Sequence, residues 1–153
     1  MSDFEDLNIS TAREGLRKKE FTSSELTQFF IEKIRNNKKL NCFITSTFDL
    51  AMKMAKDSDN KISKNHNVGL LEGIPIGMKD LFCTNGVKTT AGSKILENFI
   101  PYYESTVSQN LWNEGAVMLG KTNMDEFAMG SSNETSYFGN VINPLKSLEN
   151  SKD

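Results

Sequence analysis

Ser105-Thr-Val-Ser-Gln-Asn-Leu-Trp112-Asn-Glu-Gly115-Ala-Val-Met-Leu-Gly120-Lys-Thr122 is the stretch whose reading decides the fold class. Ser105 or Thr106 can cap a helix that carries Val107, Leu111 and Trp112 and stops at Gly115. Ala116 to Leu119 is then an apolar run of buried-strand length. Upstream, Gly73-Ile-Pro-Ile-Gly-Met-Lys79 is short, apolar and punctuated by Gly and Pro, which suits a strand end or a tight functional turn. Strand, helix, glycine, strand predicts α/β packing with a right-handed crossover. Gly115 to Thr122 also satisfies the phosphate-loop expression G-x-x-x-x-G-K-[ST]. That loop needs a strand before it, a helix after it and flexible residues between them to wrap the phosphate. Here a helix precedes, and Ala116, Val117, Met118 and Leu119 favour the strand itself, so no nucleotide site is expected.

Toward the amino terminus the chain reads as helices. Ile9, Ala12, Arg13 and Leu16 recur at helical spacing, with Gly15 weakening the pattern. Thr22 and Glu25 fit the capping box S/T-x-x-E, and Leu26, Phe29, Phe30 and Ile34 follow as one apolar stripe. Cys42 to Thr45 suits a short strand, and Leu50, Ala51, Met54 and Ala55 suit another helix in which methionine fills core gaps. Asp57 to Asn67 lacks a period and is expected to be a loop. The organisation expected is a single domain: a mainly helical start at 1–68, an α/β part at 69–142, and a frayed polar tail at 143–153.

Composition narrows the class. With 153 residues, 37% hydrophobic and 25% charged, the chain reads as one soluble globular unit. A formal net charge of -2 leaves no broad basic field, which argues against direct nucleic-acid binding by this chain. Cys42 and Cys83 are far apart and match no metal spacing, so a reducing compartment is the simpler reading. The start, Met1 to Asp6, is acidic and lacks the apolar core of a signal peptide. No apolar run approaches the ~18–20 residues of a membrane span. A cytoplasmic protein without membrane contact is expected.

His66 is the only histidine and sits among Lys64, Asn65 and Asn67, so neither a Ser–His–Asp triad nor a histidine metal site is expected. A hydrolytic enzyme would need another base, and Lys79 is the candidate. In its Gly/Pro-framed apolar run the ammonium can lose water, and a desolvated, neutral amine is a competent base. Its other reading is a surface lysine whose stem covers apolar area. Gly130-Ser131-Ser132-Asn133 follows the apolar-periodic Met124, Phe127, Ala128 and Met129. It is either a loop that places hydroxyls near a ligand or a plain helix C-terminus. Asp125 and Glu126 are expected in the first turn of a helix capped by Thr122 or Asn123.

Three stretches together resemble the amidase-signature family: Gly73-Ile-Pro-Ile-Gly-Met-Lys-Asp80, Thr89-Thr-Ala-Gly-Ser93, and Gly120-Lys-Thr-Asn-Met-Asp-Glu-Phe-Ala-Met-Gly-Ser-Ser132 running on to Phe138-Gly139. The Asn-Met-Asp-Glu-Phe core is similar to the branch that serves tRNA-dependent amidotransferases. The resemblance covers nearly the whole chain. It implies an incomplete α/β fold, the amino-terminal portion of a mixed sheet flanked by helices. It also implies that Lys79 acts as general base, sharing a proton network with a serine that activates the nucleophilic serine. Both serines are implied in or after a Gly/Ser-rich segment downstream of the Asn-Pro that resembles Asn143-Pro144.

The implied activity is a glutaminase that releases ammonia from glutamine through an acyl-enzyme. Ser131 and Ser132 are implied at the border of the substrate pocket. The implied partners are the B and C subunits of the amidotransferase, one of which uses ATP and magnesium to activate the glutamate of misacylated Glu-tRNA(Gln). No metal or cofactor is implied in this chain. After Pro144 the sequence reads Leu-Lys-Ser-Leu-Glu-Asn-Ser-Lys-Asp153, without the Gly/Ser-rich segment. The expectation is therefore a chain that stops before the nucleophile and is inactive alone. Its strands at Ile74 and Val117 are expected to have unpaired edges or exposed apolar faces. The alternative is a non-catalytic fragment that docks to partner subunits through stripes such as Leu26, Phe29 and Phe30.

Overall fold

A computed structural model describes residues 4–64 and 68–145, so His66 and nearly all of the polar tail lie outside the described residues. The elements run α1 (Ile9–Lys18), α2 (Ser23–Asn36), β1 (Phe43–Ser46), α3 (Phe48–Ser63), β2 (Pro75–Lys79), α4 (Thr106–Asn113) and β3 (Val117–Thr122). One three-stranded sheet has the order β1-β3-β2. β3 runs antiparallel to β1 and parallel to β2, and α4 lies on the connection between the two parallel strands. The helical start and the α/β part therefore share a sheet.

The helix starts follow local chemistry. Thr22 Oγ1 accepts from Glu25 N–H at 3.1 Å while the Glu25 carboxylate accepts from Thr22 N–H at 2.8 Å, closing the capping box of α2. Asp59 of α3 accepts from the N–H groups of Ser23 and Ser24 at 2.7 and 3.1 Å, a second cap supplied from a distant helix. Ser105 opens α4 by accepting from Ser108 N–H at 3.1 Å. α1 runs through Gly15. A Cβ there would stand 2.3 Å from the Phe21 ring, so the missing side chain is what lets α1 and Phe21 pack.

Two expectations for the first half change. Asp57 to Ser63 is not a loop, because α3 continues to Ser63, and Asn65 to Asn67 of the expected loop lie outside the described residues. Its inner face runs Ala51, Ala55, Ser58 and Ile62, and the Ser58 hydroxyl donates to buried Glu72 at 2.6 Å. A buried serine satisfied by a distant carboxylate leaves no hydrophobic period to read. The Leu26, Phe29 and Phe30 stripe is not free for docking either. Leu26 is buried, Phe29 meets Phe4 edge-to-face at 5.4 Å, and Phe30 packs against two core clusters.

β3 is the central strand, with both edges paired. Val117 and Leu119 pack on Ile31, Ala51 and Ala55, whereas Met118 joins Met78 and Val87 on the opposite face. Val117 thus has neither an unpaired edge nor an exposed face. At β2 one edge pairs with β3, and among the described residues the other carries no strand. Among the described residues no helix is long and apolar enough to cross a membrane.

Candidate active site

The two parallel strands end side by side, with Lys79 in register with Thr122. The carboxyl end of parallel strands is where open α/β sheets bind ligands. Along β2 the side chains alternate: Met78 is 2% exposed and faces the core, and its neighbours Gly77 and Lys79 are exposed. This corrects the expectation of a dry amine. The described residues place Lys79 at a solvent-facing position, and none gives its amine a hydrogen bond.

Beneath that exposed lysine the backbone is held tightly. Asp80 N–H donates to Thr122 O at 3.1 Å, Asp80 O accepts from Ala91 N–H at 3.0 Å, and Phe82 N–H donates to Lys79 O at 3.1 Å. The Asp80 side chain is fully buried, and one carboxylate oxygen accepts from both the N–H (2.9 Å) and the hydroxyl of Thr90. Its other oxygen has no partner among the described residues. Burial pushes the Asp80 carboxyl above its ordinary range, opposed by the Thr90 hydrogen bonds and by the charge of Lys121.

Lys121 is the residue that sequence reasoning missed. The sequence places it in a discounted phosphate loop and in one of the stretches that carry the resemblance, without a role in either, yet it is fully buried on β3 opposite Met78. Its amine donates to the carbonyl of Phe82 and to the hydroxyls of Thr84 at 3.0 Å and Thr89 at 2.9 Å. Burial pushes the Lys121 amine down to about 8, against the opposing charge of Asp80. The available signal was a lysine directly after the apolar run Ala116 to Leu119, since its hydroxyl partners Thr84 and Thr89 lie 37 and 32 residues away along the chain.

The stretches that carried the resemblance meet around this network. Ala91 O accepts from Phe127 N–H at 2.8 Å, Gly92 O accepts from Tyr137 N–H at 2.9 Å, and the Ser93 hydroxyl donates to Glu126. Gly92 has φ +67°, and a Cβ there would come 2.6 Å from Met124 O, so the clasp between the two loops requires glycine.

No α-helix forms over residues 124–129. Only a short turn spans Glu126–Ala128, and Phe127 (φ 52°) and Ala128 (φ 60°) adopt left-handed conformations. Asp125 explains the difference. Its carboxylate accepts from Thr135 N–H at 3.0 Å, Asn133 N–H at 2.9 Å and the Thr135 hydroxyl at 3.0 Å, so it organises a loop instead of a helix start. The Thr135 and Asn133 backbone bonds hold this carboxyl below its ordinary range. Ser131 and Ser132 are exposed on that loop. Left-handed non-glycine residues cost of order 1–3 kcal/mol each and gather at functional sites. Of the six found among the described residues, four (Ala91, Phe127, Ala128 and Asn133) lie in the clasped segments. Among the described residues no group of His, Cys, Asp and Glu could hold a metal ion.

Comparison with known proteins bears on this arrangement. A family model described as Amidase matches residues 25–151. The A subunit of glutamyl-tRNA(Gln) amidotransferase from Rickettsia bellii (strain OSU 85-389) is 55% identical over 153 residues, 100% of this chain and 31% of that protein. The solved structure of the glutamyl-tRNA(Gln) amidotransferase A subunit from Thermotoga maritima is 32% identical with a TM-score of 0.67, over 91% of this chain and 27% of that one. The peptide amidase from Stenotrophomonas maltophilia is 28% identical with a TM-score of 0.80, over 91% and 30% respectively. The chain spans about a third of the length of the curated relatives it matches.

Proposed function

This chain belongs to the amidase family, and from that membership we propose that it forms the amino-terminal part of the amidase subunit of a tRNA-dependent amidotransferase. In this reading the complete subunit hydrolyses glutamine and delivers ammonia to its partners, the B and C subunits. There ATP and magnesium activate misacylated Glu-tRNA(Gln) for conversion to Gln-tRNA(Gln). The observation that carries the reading is 55% identity along all 153 residues to the amidotransferase protein of Rickettsia bellii, extending through the motifs that fold together at the ends of β2 and β3.

Lys79 is the general base in this proposal. Its backbone is fixed while its side chain projects from the sheet, so a serine contributed by the remainder of the domain can be met by a well-placed amine. Ser131 and Ser132 border the substrate pocket. A polypeptide of these 153 residues alone has the base without the nucleophile and is expected to release no ammonia from glutamine.

The test is a chimera in which residues 1–153 replace the matching segment of the Rickettsia bellii protein, assayed with its partner subunits. Glutamine-dependent ammonia release is expected, together with its loss in Lys79→Ala. A Lys79→Ala chimera that keeps the parent rate would refute the role of Lys79.

A further inference from the structure

We propose that Lys121 is a positioning residue for Lys79, its buried ammonium pinning the loop that leaves Lys79 onto strand β3. The proposal rests on Lys79 being the base of an amidase domain. An ammonium has three N–H donors, and three acceptors meet it: the Phe82 carbonyl, Thr84 Oγ1 and Thr89 Oγ1. Each threonine is turned to receive it. Thr84 Oγ1 donates to Phe82 O at 3.2 Å and Thr89 Oγ1 donates to Val87 O at 3.1 Å, which leaves their lone pairs toward the lysine.

All three acceptors belong to the segment that follows Lys79 directly. A single residue relays the effect: the Phe82 carbonyl receives Lys121, and the Phe82 N–H donates to the carbonyl of Lys79. Asp80, between them, is held by Thr90 and Ala91 from the other end of the same loop. Lys121 is too deeply buried to touch substrate, so any effect on chemistry passes through the loop. An apolar side chain would fill the same space without the cost of burying a charge. A fully satisfied buried network instead selects one loop geometry, and misplacing a reacting group by ~1 Å can cost ~10²-fold in rate.

Two variants of the chimera test this. Thr84→Val with Thr89→Val removes two acceptors at nearly constant size, and Lys121→Met removes the donor while keeping a long chain. In either variant kcat for glutamine hydrolysis should fall at least about tenfold while KM stays within about twofold, the split expected when a residue acts on the reacting geometry. Amide hydrogen exchange across residues 82–93 should accelerate relative to β3. If Lys121→Met does not fold, the double threonine variant carries the test. An unchanged kcat in a folded variant, or unchanged exchange across 82–93, overturns the proposal. A folded parent chimera that hydrolyses no glutamine sinks the functional reading instead. The exchange measurement on the 153-residue chain then decides the pinning by itself.

Discussion

Raising the pH from 7.5 to 9.5 should stabilise this protein, and Lys121 is the reason. Its amine is pushed from 10.5 to about 8 in the folded state, chiefly by burial. The charges of Asp80 and, less strongly, Glu104 raise its affinity for the proton, and burial outweighs them. Between those two values the unfolded chain binds a proton that the folded chain has released. Stability therefore rises with pH across the window, at most 1.36 kcal/mol per unit. From pH 7.5 to 9.5 this amounts to about 2 kcal/mol, of a full effect of roughly 3 kcal/mol.

The assay is urea unfolding followed by far-ultraviolet circular dichroism at pH 7.5, 8.5 and 9.5, on the parent and on Lys121→Met. The difference between the two cancels the other titrating groups to first order. The parent should gain about 2 kcal/mol on the variant over this range. Asp80→Asn, which removes the largest opposing charge, should move the onset of the gain below pH 8. A parent-minus-variant difference that is flat, or that falls with pH, refutes the reasoning.

Two further outcomes are expected. Gly130→Ala places a Cβ 2.4 Å from Asp125 Cγ. Thermal unfolding should report a loss of about 1–3 kcal/mol by overpacking, with faster proteolysis within residues 130–135; an unchanged Tm would show that the loop does not close on Asp125. Thr22→Ala removes the acceptor for Glu25 N–H and should cost about 1 kcal/mol in urea unfolding, against no change if Asp59 alone secures the start of α2.

What could be read ahead of the structure was local. The capping box at Thr22 and Glu25 involves residues three apart, so both partners are in view together. The strand expected at Ala116 to Leu119, found as Val117–Thr122, was legible because its side chains favour extended backbone and the residues before it carry a capped helical pattern. The end of α3 was not legible, because Ser58 sits on its buried face only with Glu72 to satisfy it, 14 residues away. The helix expected at Met124 to Met129 failed for the same reason. Its apolar spacing was real, but Asp125 finds its partners at Asn133 and Thr135, beyond the reach of a helix start.

By itself, the sequence determined the chain's class, most of its helices and strands, and the motifs worth attention, since periodicity, caps and turn residues act over a few positions. Only the tertiary structure decided which of those residues are dry and which are wet. Lys79, expected to be shielded, faces solvent, and Lys121, dismissed with the phosphate loop, is sealed inside among three acceptors. The physical reason is that desolvation depends on everything packed around a group in space, and those neighbours come from segments that lie as far as 39 residues away along the chain.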